Sequence, residues 1–117
     1  MFKVYENQTE VIGKKVWTVI TRTDEGINIT VAGGDKPHIG AISIVDKAGQ
    51  VSTTVFPSHK EAVISEKWAK AFYEKFQEPV VVSAGIHFDG ITKDNIAKVV
   101  DECDLLLEKL LKIPMVD

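Results

Sequence analysis

Apolar and polar positions alternate with period two through the first half of the chain and with a period near 3.6 through most of the second. Residues 15–22 (KVWTVITR) are rich in β-branched and aromatic side chains, and residues 27–31 (INITV) alternate strictly. Asp24-Glu25-Gly26 between them carries turn chemistry, so the two runs predict a hairpin. Residues 2–6 predict a weaker strand, with Phe2, Val4 and the ring of Tyr5 available for packing. Residues 39–45 and 51–56 predict two more strands around the turn Lys47-Ala-Gly-Gln50. Five antiparallel strands are therefore expected before the pattern changes.

The change comes with Ile64, Trp68, Ala71, Phe72, Lys75 and Phe76, which follow the three-and-four spacing of an amphipathic helix ending near Gln77, ahead of Pro79. Pro79 is followed by Val80, Val81 and Val82, an apolar run expected of an interior strand with both faces covered. A last helix has Thr92 as N-cap, Asp94 at the positive end of the dipole, and a stripe of Ile96, Val99, Val100, Cys103, Leu106, Leu107 and Leu110. The order of these elements predicts an α/β (α+β) fold: a mixed, largely antiparallel sheet of about six strands with two helices. A single domain over residues 1–117 is expected, with 113–117 as either a mobile tail or a strand docked on a partner.

Composition narrows the function classes. A chain of 117 residues with 44% hydrophobic and 26% charged content buries one core. The net charge of −3, without a Lys/Arg cluster, is not the footprint of a nucleic-acid binder. Charges and amides in the first seven residues, and the lack of any run near about 18 apolar residues, predict a cytoplasmic protein without membrane association. Cys103 is the single cysteine, which excludes an internal disulfide and a cysteine-rich zinc site; its place on the apolar stripe predicts a buried thiol.

The three histidines fall in three segments rich in Gly, Pro or Ser. The first, Gly33-Gly34-Asp35-Lys36-Pro37-His38-Ile39-Gly40, can act as a stiffened turn, or as an anion cradle of backbone amides to which Lys36 and His38 add charge-assisted bonds. The second places His59 and Lys60 between Ser58 and Glu61, which have the spacing of a capping box. This pair is either a solvated part of a capped helix or positive charge beside unpaired helical amides. The third, Ser83 to Gly90 with Gly85, His87 and Asp89, runs off the most hydrophobic strand toward a helix start, the preferred position of a crevice in open α/β sheets. Asp89, two residues on, can orient the His87 ring; the alternative is a core histidine followed by a turn former. The histidine spacings of 21 and 28 residues match no metal motif, so no metal is expected, and no serine sits in a nucleophile elbow.

Taken together, the Gly33–Ala41 motif, Ser58-His59-Lys60 and the run from Pro79 to His87 before a terminal helix resemble the LpdD-like prenylated-flavin chaperones. This is the small D-subunit family associated with UbiD-type hydroxyarylic acid decarboxylases. The resemblance implies a homodimer, similar in fold to proteasome-assembly chaperones, that binds prenylated FMN or FMN and delivers it to a UbiD-type decarboxylase or matures it there. The resemblance does not assign individual residues. The chemistry of the three segments points to Gly33, Gly34, Asp35, Lys36, His38, Gly40, His59, Lys60, Gly85, His87 and Asp89 as the cofactor-binding set. Glycine amides and Lys36 or Lys60 suit the phosphate, the three histidines suit phosphate contact or proton handling at the flavin, and Ile39, Ile86 and Phe88 suit its ring. A small histidine- or metal-dependent enzyme and a ligand-free assembly chaperone are the alternatives.

Overall fold

In the computed structural model, which describes residues 1–56 and 62–115, β1 (Phe2–Val11), β2 (Lys14–Thr23) and β3 (Gly26–Gly34) form an antiparallel meander. A hairpin of β4 (Ala41–Val45) and β5 (Val51–Val55) follows, then α1 (Ala62–Phe76), β6 (Val80–His87) and α2 (Lys93–Leu111). The sheet order is β1-β2-β3-β6-β4-β5: the last strand in sequence inserts between the meander and the hairpin, parallel to β3 and antiparallel to β4. The fold is the predicted α+β one, a mixed six-stranded sheet with two helices. The most apolar strand takes the interior position because there its Val80 and Val82 are removed entirely from water.

Several boundaries differ from the sequence reading. β1 runs on to Val11 because it pairs with β2 along its whole length, and Ile12-Gly13 makes the two-residue turn with φ of 48° and 74°. β6 runs on to His87, so that histidine closes a strand instead of lying in a loop. Thr92 caps α2 as predicted, its hydroxyl accepting the Asn95 amide at 3.2 Å. The terminal segment is docked as far as Met115, whose side chain is buried and whose carbonyl accepts from the Arg22 guanidinium.

Both helices contribute to one core. Trp68 and Phe72 of α1 and Cys103, Leu106 and Leu110 of α2 join Ile20, Ile29 and Val82 of the sheet. Where α1 meets the β4-β5 hairpin, the buried hydroxyls of Ser43 and Ser65 bond each other at 2.7 Å. Ser43 also bonds Thr53 at 2.9 Å, so neither serine is left unsatisfied. The expectation that both faces of the valine run are covered is corrected. Val80 and Val82 face the helices, but Val81 points to the opposite side beside Asn28 and Ile44 and is only half-buried. With both helices on one side, alternate residues of each strand must point away from them.

Candidate functional site

β3 and β4 flank β6, so the segment joining them has to cross β6 near its carboxyl end. Three backbone bonds fix the crossing: the amide of Asp35 donates to the His87 carbonyl at 2.7 Å, that of His38 to Gly85 at 3.3 Å and that of Gly40 to Ala84 at 2.9 Å. The chain passes so close that a Cβ on Gly85 would stand 1.7 Å from the His38 carbonyl oxygen. Gly34, with φ of 80°, lies as tightly against the His87 carbonyl, and Gly33 against that of Lys15. The glycines thus make a strand crossing possible. The amides of Asp35, His38 and Gly40 are committed to β6, so they are not an anion cradle.

What the crossing delivers is side chains. The rings of His38 and His87 lie edge to face with centroids 6.4 Å apart. His38 Nδ1 bonds the Lys36 carbonyl at 2.9 Å, and because a carbonyl only accepts, that nitrogen carries a proton. His87 Nε2 lies 3.0 Å from Asp89 Oδ1, the contact expected from their spacing. The backbone amide of Asp89 in turn donates to Asp35 Oδ2 at 3.0 Å, and Lys14 Nζ sits 3.0 Å from Asp35 Oδ1. The Asp89 amide, and after it the Lys14 ammonium, hold the Asp35 carboxyl below the usual carboxylate range. His59 and Lys60 lie outside the described residues. β5 ends at the same edge of the sheet, where the Phe56 amide donates to the Gly40 carbonyl at 2.9 Å.

Beside this cluster a cleft of about 200 Å³ opens between the β1-β2 turn and the start of α2, lined by Ile12, Lys14, Asp35, Phe88, Asp89 and Asn95 among others. Ile12 and Lys14 were not among the residues read from the sequence. They are 19 or more positions from the histidine segments, and only the strand register brings them here. One lysine against two carboxylates does not favour an anion in the cleft itself. The side of the cluster toward Lys36 is different: Lys36 is exposed, and Ile39 and Phe56 expose 54% and 40% of their surface. Ile86 packs against the helix-covered core, and Phe88 is buried while lining the cleft. Two imidazoles bordered by a cation and exposed apolar side chains can hydrogen-bond an anionic group and receive a flat ring. Among the described residues no cluster of His, Cys, Asp and Glu is able to hold a metal ion, and no helix is long and apolar enough to cross a membrane.

Comparison with known proteins bears on the fold and the family. A search of solved structures finds a chain from a chaperone complex for yeast 20S proteasome assembly, with a TM-score of 0.66, 13% identity, and coverage of 96% of this chain and 94% of that one. At that identity the likeness concerns the fold. Protein LpdD of Lactiplantibacillus plantarum is 31% identical over 108 residues, covering 88% of this chain and 79% of that protein. The model of the prenylated flavin chaperone LpdD-like domain matches residues 10–113, the span from the end of β1 past α2, and the chain therefore belongs to the family of LpdD-like chaperones.

Proposed function

We propose that this chaperone binds prenylated FMN and delivers it to a UbiD-type decarboxylase, or helps mature it there, acting as a homodimeric accessory protein and not as an enzyme. The observation that carries the reading is the His38–His87 pair, 6.4 Å apart, with His38 in a segment that also carries exposed Lys36 and Ile39, and with exposed Phe56 bonded to the end of that segment at Gly40. A flavin mononucleotide combines a phosphate with a flat apolar ring system. Lys36, His38 and His87, with His59 and Lys60, are the groups chemically suited to the phosphate and the flavin heteroatoms. Ile39 and Phe56 suit the ring. Gly33, Gly34, Gly40 and Gly85 shape the crossing, and Asp35 and Asp89 hold the histidine segment in place.

Exposure supports a carrier. Lys36, Ile39, Phe56 and His87, the groups suited to the flavin, are all exposed, whereas a site that retains a drug-sized ligand encloses most of its surface. A partly exposed ligand is one that can be handed on. The chemistry of prenylated FMN is expressed in the decarboxylase, while the chaperone binds and orients it. The test is anaerobic titration of the purified protein with reduced prenylated FMN and with FMN. A shifted absorbance spectrum and a raised melting temperature are expected, corresponding to about 2.7 kcal/mol at a hundredfold excess over Kd. His38→Ala and His87→Ala should weaken both effects. No spectral or thermal change with either flavin would overturn the proposal.

A further inference from the structure

β1 ends the sheet order, so among the described residues no strand pairs with its outer edge. It pairs with β2 over all ten residues without a bulge and contains no proline, so it is neither shortened nor bent as exposed edges commonly are. Thr9 and Tyr5 lie opposite buried Val16 and Ile20, which puts them on the helix side, and there the one charge of β1 is Lys3, at its far end. On this side a cleft of about 230 Å³ opens between the edge and α2, lined by Thr9, Val11, Glu102, Leu105, Leu106 and Lys109 among others. Val11 and Leu106 are buried, whereas Leu105 leaves 65% of its surface in water. Glu102 Oε2 is sealed from solvent, and no described residue, Lys109 included, donates a hydrogen bond to it. A carboxylate oxygen in that position is costly until a donor reaches it.

We propose that this groove docks an extended segment of the client decarboxylase, which adds to β1 as a seventh strand and directs a lysine or arginine side chain to Glu102; the proposal rests on the chaperone reading above and names the surface that meets the client. A strand placed about 4.8 Å beyond β1 turns alternate side chains to the side of Thr9 and Val11. There Leu105 and Leu106 receive the apolar stem of a basic residue while its charged end meets the carboxylate. A sealed carboxylate favours a cation over a neutral donor, because the charge-assisted bond is about twice as strong. In strand addition the main-chain bonds supply affinity and pockets for alternate side chains supply selectivity. Position fits the role as well. β1 lies three strand spacings, about 14 Å, from β6, which carries His87. Its last residues lead directly into Ile12 and Lys14 of the cleft beside the histidines. A client held on this edge stands next to the imidazole pair without covering it, as transfer of a ligand requires.

The probes are an intact UbiD-type decarboxylase and short overlapping peptides covering its sequence. The peptides that bind should contain Lys or Arg, and replacing that residue by norleucine should weaken binding by about tenfold or more. Glu102→Gln and Leu105→Lys should each cause a loss of the same size, with circular dichroism unchanged. Glu74→Gln, which alters the net charge equally on the exposed side of α1, should have no effect. Amide hydrogen exchange of the unaltered protein guards against misfolded variants. Every second amide of β1 faces away from β2; these should exchange quickly in the free chain and slow when the decarboxylase binds, while β5 at the other edge is unchanged. Protection on β5 or on neither edge, or undiminished binding by Glu102→Gln, overturns the proposal. So does protection of the outer β1 amides in the free protein, which would mean that a second copy already pairs there. Titration with reduced prenylated FMN separates the two readings: flavin binding by a chain whose β1 stays unprotected removes the docking surface and keeps the carrier. Docking on β1 without flavin binding does the reverse.

Discussion

Replacing Gly85 by alanine tests how the site is assembled. The added methyl would meet three backbone atoms, the His38 oxygen at 1.7 Å, its carbon at 2.3 Å and the Ile39 nitrogen at 2.9 Å. No side-chain rotation can relieve that. To reach ordinary van der Waals separation the crossing segment must retreat by about 1.5 Å, which breaks the bonds of His38 to Gly85 and of Gly40 to Ala84. Two backbone hydrogen bonds at about 1 kcal/mol each, together with overpacking of about 1–3 kcal/mol, give an expected loss of about 3–5 kcal/mol. For a chain of this length that lowers Tm by about 12–20 °C. His38 moves away from His87 with the segment, so flavin affinity should fall as well. Gly90→Ala is the control: its φ is also positive, at 60°, but no atom lies within 4 Å of the new methyl, so it should cost about 1 kcal/mol. Urea unfolding of both variants decides the matter. If Gly85→Ala costs no more than Gly90→Ala, the tight crossing is not what positions His38.

Three further outcomes are expected. Ile12 is a β-branched residue at φ of 48° beside the cleft, so Ile12→Asn should stabilise the protein by about 1 kcal/mol in chemical denaturation, because asparagine tolerates this conformation. Asp35 has a folded-state pKa below its ordinary 3.8. Its contribution to stability is therefore complete above that value and lost as pH falls through the lower folded one; unfolding curves between pH 2 and 5 should show a shallower acid decline for Asp35→Asn than for wild type, and equal slopes would refute the assignment. Burial pushes the Cys103 thiol up to about 12, so iodoacetamide at pH 8 should modify it only at the rate at which the protein opens, and labelling as fast as that of a free thiol would exclude the buried placement.

The existence and type of these elements were legible where the signal is local. Two-residue alternation marked the strands, the three-and-four spacing marked both helices, Thr92 announced its own cap, and Cys103 on an apolar stripe announced a buried thiol, because each depends on neighbours within one or two turns. Gly33, Gly34 and Gly85 stood out as glycines, but their purpose did not. An amide cradle and a strand crossing demand the same absence of Cβ, and only the path of residues 35–40 over β6 distinguishes them. The insertion of β6 between β3 and β4 is likewise invisible locally, since a strand of consecutive valines can pair on either edge. That insertion brings His38 to His87. The antiparallel pairing of β2 with β3 carries Lys14 to Asp35. The chain by itself determined which residues could do chemistry and which elements would carry them. Tertiary structure decided which of them meet and which sheet face stays open, because strand order and helix side are settled by burial between segments far apart in sequence.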